Sequence, residues 1–435
     1  MDVDSKNNLQ DSIQDYELQA VPSNERKHWW FIAIIWVAIG IDISGLFLGA
    51  FLSEGMTLFD SMIAVFIGSS LLAVLAALCA NVGFSSGLST VLICSNVFGR
   101  IGGKLVGFVT GVSLVGWYAF QLDFFTVVTT SALESIDIEI SRFIVLIFGS
   151  LLMSLTALWG VRALGKLSMI SVPILISIIG YALYTVMTSD STIQDVVSEP
   201  IGFGVAISYV VSIWILGAVN APDVARYARQ RKDAILGAGL GFLIGNSFIV
   251  VVALVLTKFV GNDDLVAVLF SLGMGLSAIL VLVLAQWTTN TMNLIGGALD
   301  LAVTFPTAKR WVLVGVISVV GTVLAIDGMV DRFGVFLSFL GTVVSPIAGV
   351  YLVDYYLINR KKELSVERGQ IISIHYPAII AWCIGAITCF ITSYDFLNLI
   401  QISSISVLDG TVAAALSYLI ISKFSSIASL TSKVA

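Results

Sequence analysis

Charged side chains are scarce in this chain of 435 residues. Asp, Glu, Lys and Arg together make up only 11% of the sequence, against 58% hydrophobic residues, and the mean hydropathy is +1.00. A globule that faces water on all sides cannot be built from this composition. The shortage of charge therefore indicates a polytopic membrane protein.

Histidine and cysteine are also rare. The two histidines, His28 and His375, fall outside the apolar core of the predicted helices. The four cysteines have no C-x-x-C spacing, which favours small packing residues over a disulfide framework or a metal cluster. Because no Ser/His, metal or paired-acid constellation occurs at membrane depth, the sequence indicates neither an enzyme nor a cofactor.

Long apolar runs are what the sequence has in abundance. A bilayer core takes about 20 apolar residues per helix. Twelve such runs can be counted, at 29–52, 58–80, 105–130, 143–161, 167–187, 201–221, 234–257, 269–303, 311–326, 333–356, 371–391 and 396–421. Their continuous rather than alternating pattern predicts helices and not a barrel. The predicted fold class is thus all-α, with about twelve transmembrane helices.

Basic residues are distributed unequally between the loops. If the N-terminus is cytoplasmic, 19 of the 22 Lys and Arg residues lie on the inner side, and only Arg142, Lys258 and Arg332 lie on the outer side. The positive-inside rule then predicts an integral protein of the cell membrane, plasma or inner, with both termini cytoplasmic. The same rule explains the basic loop at 222–234, so neither this loop nor the net charge of -6 indicates nucleic acid as a partner.

Two of the apolar runs are interrupted, by GIDISGLFLGAF at 40–51 and by ILGAVNAPD at 215–223. Paired broken helices indicate an inverted-repeat transporter whose unwound backbone lines a midplane site. Alternatively, glycines such as Gly45 and Gly49 only let helices pack closely. The predicted parts are a cytoplasmic tail (1–27), repeat 1 (28–190), repeat 2 (200–357), two further helices (371–422) and a second cytoplasmic tail (423–435).

Polar side chains interrupt the eighth run, where WTTNTMN occupies residues 287–293. On a helix, Ala285, Thr288, Thr289 and Asn293 share one continuous face. Two hydroxyls and a carbonyl oxygen suit a hard cation such as sodium, which takes several oxygen ligands. The alternative is that the hydroxyls bond to carbonyls of their own helix or join neighbouring helices.

Asp42 lies near mid-membrane within the first interruption. A carboxylate there is costly unless it is paired, hydrated or protonated, so it is a candidate functional group. A coupling cation, a proton and a substrate amine are its candidate partners. The alternative is an acid bonded to the amides of a broken helix end.

Two tryptophans also lie at mid-membrane depth beside polar or broken segments. Trp117 and Gln121, in GWYAFQ, are one helical turn apart, and Trp214 precedes the second interruption. Indole faces and a primary amide suit a flat heterocycle with hydrogen-bonding edges. Each tryptophan taken alone is more typical of ordinary packing or of an interface anchor.

These residues resemble the nucleobase:cation symporter family, which includes the cytosine permeases and the bacterial hydantoin transporter. The similarity runs from VPSNERK at 21–27 to about residue 360, and PDVARYARQRK, QWTTNTMN and GWYAFQ are its most specific pieces. The resemblance implies a five-plus-five inverted-repeat fold with two extra C-terminal helices. It also implies sodium or proton coupling and a planar base held between helices 1, 3, 6 and 8.

The resemblance further implies a sodium site. Thr288 and Thr289 match side-chain ligands in the family, and carbonyl oxygens are expected from Ala285, Ala38 and Ile41. No other metal is implied.

For the substrate, the resemblance implies that Trp117 and Trp214 surround a base that Gln121 and Asn293 bind through their amides. The chain departs from the cytosine-permease pattern at Asp42, where an aromatic or amide is expected. A second departure is Ile213, which replaces a small residue. We expect a symporter that imports a nucleobase or related planar heterocycle, cytosine first. Purines, hydantoins, allantoin and hydroxymethylpyrimidine stay open, and an amino-acid symporter is a more remote alternative.

Overall fold

The computed structural model describes residues 26–40, 42–159, 161–188, 193, 195–261, 271, 275–359 and 372–431. Fifteen α-helices account for most of these residues. In chain order they are α1 (Trp29–Gly40), α2 (Ile43–Gly55), α3 (Leu58–Ser86), α4 (Thr90–Glu134), α5 (Arg142–Trp159), α6 (Val161–Thr188), α7 (Phe203–Ser212), α8 (Ile215–Val219), α9 (Ala221–Ala225), α10 (Arg231–Val260), α11 (Gly275–Thr304), α12 (Arg310–Ile326), α13 (Phe333–Val353), α14 (Tyr376–Thr392) and α15 (Ser406–Thr431). A π-helical turn, Asp354–Ile358, extends α13.

Within the described ranges, α3, α4, α10, α15 and α13 with its π-turn are each long and apolar enough to cross a membrane. Large apolar side chains stay exposed on the helix surfaces, for example Phe66 (62%), Phe148 (61%) and Val319 (65%). A surface that faces lipid explains this exposure, which is unusual for a soluble monomer. The all-helical fold class is confirmed, whereas the number of twelve crossings and the division into repeats stay predictions.

The first interruption separates α1 from α2. Asp42 is extended (φ -121, ψ 152), and its carboxylate accepts a hydrogen bond of 2.8 Å from the backbone N–H of Ile43. The first N–H groups of a helix have no partner within the helix, and an aspartate side chain is among the best acceptors for them. The chain therefore starts a new helix at Ile43 instead of continuing α1.

The second interruption separates α7, α8 and α9. Trp214 (φ -117, ψ 13) and Asn220 (φ -89, ψ 8) leave the helical conformation, and Pro222 stands in the first turn of α9. Proline suits a first turn because its missing N–H is not needed there. Tyr351 of α13 donates to the carbonyl of Val219 at 2.9 Å, which pairs an acceptor that the end of α8 leaves free.

Small residues set the distance between the first broken segment and α10. A Cβ atom added at Gly49 would lie 2.4 Å from the carbonyl oxygen of Val250, and one at Gly45 would lie 2.4 Å from a methyl carbon of Ile249. The alternative interpretation of these two glycines, close helix packing, is therefore correct. The side chain that caps the start of α2 is Asp42, which precedes both glycines.

The helix α4 is bent at Gly99, whose φ of 83° lies in the left-handed region that favours glycine. The chain just before α14 crosses this bend and pairs with it. Arg100 donates its backbone N–H to Ile372 (2.9 Å), and His375 donates its backbone N–H to Phe98 (3.0 Å). The bend therefore attaches the C-terminal helices to α4.

The three basic residues on the predicted outer side all form ion pairs with acids. The pairs are Arg142 with Asp123 (2.5 Å), Lys258 with Asp195 (3.1 Å) and Arg332 with Asp327. Asp123 is fully buried, and it also accepts the backbone N–H of Val330 at 3.0 Å. Neighbouring acids thus neutralise the few cations that the charge pattern leaves on this side.

The start of the last helix was predicted wrongly. The apolar run at 396–421 predicted a helix from residue 396, but α15 begins at Ser406. The connection from α14 turns instead, with positive φ at Asn398 and Ser404, and the carboxylate of Asp395 accepts hydrogen bonds from hydroxyls of α7 and α13. Hydropathy alone cannot distinguish an apolar connection resting on helix ends from a helix.

Candidate substrate and cation site

A buried polar contact joins the first interruption to α4. Gln121, which is 4% exposed, donates from Nε2 to Ser44 Oγ at 3.0 Å and, at a longer 3.4 Å, to Asp42 Oδ2. The other carboxylate oxygen of Asp42 accepts the N–H of Ile43. The structure therefore brings together Asp42 and Gln121, which the sequence indicated separately. It also adds Ser44, which sequence reasoning missed.

The alternative interpretation of Asp42 was an acid bonded to helix-end amides, and one of its two carboxylate oxygens makes such a bond. The second oxygen faces the amide of Gln121. The remaining amide oxygen of Gln121, Oε1, is buried and has no hydrogen-bond partner among the described residues. Since an unpaired buried acceptor costs about 1–3 kcal/mol, this surface is suited to a ligand that supplies hydrogen-bond donors.

Trp117 lies one turn before Gln121 on α4 and is 8% exposed. Its ring meets Phe336 edge-on at a centroid distance of 5.1 Å and Phe120 at 6.0 Å. Such edge-to-face contacts orient an aromatic ring. The indole is therefore held in place by its neighbours beside the polar contact.

Trp214 is half-buried and lines a narrow cleft with Trp36, Phe242 and Asn246. Its indole nitrogen is buried and has no hydrogen-bond partner in the described ranges. Trp117 belongs to the hydrophobic core against which the partly buried Trp214 packs, and the aromatic neighbours of the Trp117 ring are phenylalanines. The structure thus places the two tryptophans in one core without stacking them on each other.

Ile213 closes α7 immediately before Trp214. It is 2% exposed, and its backbone N–H donates to Tyr209 at 3.0 Å. Its side chain packs in the core where the resemblance led us to expect a smaller residue. The side chain of Ile213 therefore fills space at the second interruption that a small residue would leave open.

Three predicted cation ligands lie together on α11. Thr288 is 5% exposed and donates from its hydroxyl to the carbonyl oxygen of Ala285 at 2.9 Å, and Thr289 is half-buried. This is the local bond that threonine often makes in membrane helices. The same contact brings a hydroxyl and a carbonyl oxygen close enough to share one cation if the hydroxyl hydrogen turns away. Ala38 lies in α1, and Ile41 lies outside the described residues.

Asn293 is half-buried and donates to the amide oxygen of Asn290 at 3.3 Å. Asn290 is fully buried and donates to the backbone carbonyl of Tyr118 at 3.1 Å. Asn290 therefore joins α11 to α4 and supports Asn293. The sequence contained this residue within WTTNTMN, but only the packing of the two helices shows which asparagine faces α4.

Four aromatic rings pack together beside Gln121. This aromatic cluster consists of Phe47 of α2, Phe120 and Phe124 of α4, and Phe333 of α13, linked by centroid distances of 4.5 to 6.1 Å. Sequence reasoning missed the cluster, because isolated phenylalanines in apolar runs resemble ordinary core residues. A cavity of about 280 Å³ lies between α7 and the connection from α14 to α15. It shares no lining residue with the polar groups described above, so we place the candidate site at the interruptions.

Broken helices around buried polar groups, in a fold built of apolar helices, define a membrane transporter. Residues 20–420 match the family described as "Permease for cytosine/purines, uracil, thiamine, allantoin". The chain belongs to this nucleobase:cation symporter family and is a transporter rather than an enzyme.

Known relatives agree with this assignment. The cytosine permease of Escherichia coli O157:H7 is 29% identical over 372 residues, which cover 84% of this chain and 86% of that protein. The hydantoin permease of Microbacterium maritypicum is 23% identical over 372 residues, covering 76% and 73%.

Solved structures share the fold. The transporter Mhp1 of the nucleobase-cation-symport-1 family, in a closed conformation with bromovinylhydantoin bound, superposes with a TM-score of 0.75 at 16% identity and covers 93% of this chain and 94% of that one. The inward-facing conformation of Mhp1 gives a TM-score of 0.79 at 17% identity and covers 93% of each chain. At these identities the likeness establishes the fold alone.

Proposed function

We propose that the protein imports a planar nitrogen heterocycle by symport with a cation, and that cytosine is the first candidate substrate. The observation that supports this best is the acceptor surface of Asp42 and Gln121, one turn from the fixed indole of Trp117. Cytosine presents an exocyclic amino group and a ring N–H, which are donors for such acceptors. The 29% identity to a cytosine permease adds support for this base.

For the coupling cation we propose sodium. The hydroxyls of Thr288 and Thr289 and the carbonyl of Ala285 lie together on α11, and the resemblance adds the carbonyls of Ala38 and Ile41. Oxygen ligands of this kind suit a hard cation.

Proton coupling is the second candidate, and the burial of Asp42 favours it. Its carboxylate is 8% exposed and has no basic residue as an ion-pair partner in the described ranges. A buried membrane carboxylate of this kind is typical of proton relays.

Uptake measurements test the substrate. Radiolabelled cytosine would be offered to transport-deficient cells that express the protein, with uracil, hypoxanthine, hydantoin, allantoin and hydroxymethylpyrimidine as competitors. We expect saturable cytosine uptake that sodium stimulates at constant pH. The proposed function would be contradicted if the cells took up no cytosine and no compound of the panel were transported or competed.

The combined substitution Thr288→Val and Thr289→Val tests the cation. Because both hydroxyls are removed at nearly unchanged volume, we expect sodium stimulation of uptake to disappear while the protein still folds. Thr291→Val is the matched control, since it removes one buried hydroxyl that bonds to the carbonyl of Trp287 and is not a predicted cation ligand. Sodium dependence that survives the double substitution would remove this site and favour proton coupling through Asp42.

A further inference from the structure

Gln286 opens the polar stretch QWTTNTMN of α11. It is 2% exposed, and both its amide oxygen and its amide nitrogen are buried without a hydrogen-bond partner among the described residues. A glutamine amide offers one acceptor and two donor hydrogens. Since nearly all buried polar groups in proteins are paired, an amide with neither end paired requires an explanation.

The helical period shows which way Gln286 points. At successive spacings of four, three and four residues, one face of α11 carries Gln286, Asn290, Asn293 and Gly297. Residues with these spacings lie in one stripe along a helix. The stripe lies on the side of α11 that packs against α4, because Asn290 bonds to the carbonyl of Tyr118 and a Cβ atom at Gly297 would lie 3.4 Å from a side-chain carbon of α4. At Gly297 the stripe also meets α12, where Ile317 would be 3.1 Å away.

The antiparallel course of α4 and α11 shows at which level Gln286 lies. Gly111 of α4 contacts Leu301 of α11, and Tyr118, further along α4, contacts Asn290, which comes earlier in α11. Residue numbers therefore rise along α4 as they fall along α11. One further turn along each helix sets Gln286 level with Gln121. Gln121 is the other glutamine with an unpaired buried oxygen on these two helices.

We propose that Gln286 is a substrate-binding residue that recognises one edge of the planar heterocycle. Its Nε2 would donate to a ring nitrogen or carbonyl oxygen, and its Oε1 would accept the neighbouring N–H. Glutamine and asparagine amides recognise adenine in this two-bond manner. The substrate class is therefore a heterocycle with adjacent donor and acceptor atoms, in a lactam or amidine edge. This inference rests on the proposed function and deepens it by naming the edge.

Neighbouring side chains show what a purely structural role looks like here. Asn290 bonds to α4, and the indole nitrogen of Trp287 donates to Thr156 of α5 at 3.1 Å. Both residues join α11 to another helix, and Gln286 makes no such bond in the described ranges. Loss of its amide should therefore weaken substrate binding without loosening the helices.

The substitution Gln286→Met tests this, because methionine keeps the length of the side chain and removes both polar ends. We expect the Kd for cytosine of the purified protein to rise about tenfold, as for the loss of one or two hydrogen bonds. The melting temperature without substrate should stay the same or rise, since an unpaired buried amide is replaced by an apolar group. Asn290→Leu is the control for a structural amide and should lower the melting temperature.

Base analogues methylated at a ring N–H make the test independent of folding. If Gln286 recognises that edge, methylation of one ring N–H weakens binding to the wild-type protein and causes little further loss in Gln286→Met. A packing defect would instead weaken parent base and methylated base by the same factor. That result, or unchanged affinity for every base, would overturn the inference. Failure of the wild-type protein to bind any base would overturn the proposed function itself.

Discussion

The two interruptions are built differently, although small and polar residues mark both in the sequence. At the first, α2 starts on the carboxylate of Asp42, which belongs to the broken segment itself. At the second, no side chain caps α8, and the paired carbonyl of Val219 takes its partner, Tyr351, from α13. At the first break, a polar side chain of the broken segment itself bonds to the helix end. At the second break, which an aromatic residue opens, the hydrogen bond comes from a side chain of α13.

This difference bears on which substrates fit. The start of a half-helix attracts anionic groups through its free N–H groups and its dipole. At α2 the carboxylate of Asp42 already occupies that position. A substrate carboxylate would meet a like charge there, which argues against the amino-acid symporter and favours a neutral ligand with hydrogen-bond donors.

Asp42 gives the largest expected effects, because it caps α2 and faces Gln121. Asp42→Ala removes both functions, and we expect loss of uptake together with a stability loss of about 0.5–2 kcal/mol from the missing cap. Asp42→Asn keeps the cap, since asparagine is an equally good N-cap, and removes only the charge. Folded yield and melting temperature, compared between the two variants, separate the capping function from the charge.

Asp42→Asn also tests substrate selection. Charge-assisted hydrogen bonds are stronger than neutral ones, so we expect this variant to lose more affinity for the amino-bearing bases cytosine and adenine than for oxo-bases. The pH dependence of its uptake should also flatten. Competition by a base panel measures the selection, and an unaltered rank order with a preserved pH profile would refute it.

Tryptophan substitutions give the next largest effects and compare the two breaks directly. If Trp117 and Trp214 stack on the base during transport, leucine at either position should weaken binding by about 1–3 kcal/mol, and phenylalanine should cost less. Trp311→Leu is the control, because this tryptophan is 62% exposed. Equal losses for leucine and phenylalanine would indicate packing instead, and wild-type affinity in both would exclude a ring clamp.

Tyr351→Phe has the smallest expected effect and concerns the second break. The hydrogen bond to Val219 is lost, so the free energy of unfolding should fall by about 0.5–1.5 kcal/mol. Tyr181→Phe is the matched control, since Tyr181 is 56% exposed and its loss of a hydroxyl should change nothing. An unchanged stability of Tyr351→Phe would show that the second break needs no support from α13.

The helical class and the two interruptions were predictable because both depend on local sequence. The length of the apolar runs indicates helices, and the residues within them indicate the breaks. The contact between Asp42 and Gln121 was not, since it joins residues 79 positions apart through the packing of α2 on α4. The unpaired state of Gln286 is likewise a tertiary property. Its place inside a polar motif was visible, but its lack of partners was not.

The aromatic cluster beside Gln121 has a thermodynamic consequence. Its four phenylalanine rings contact one another through apolar surface, so any movement that separates them would expose apolar surface to water. Burial of apolar surface carries a negative heat-capacity change, and its driving force weakens on cooling. The contribution of this cluster to holding α2, α4 and α13 together should therefore weaken in the cold.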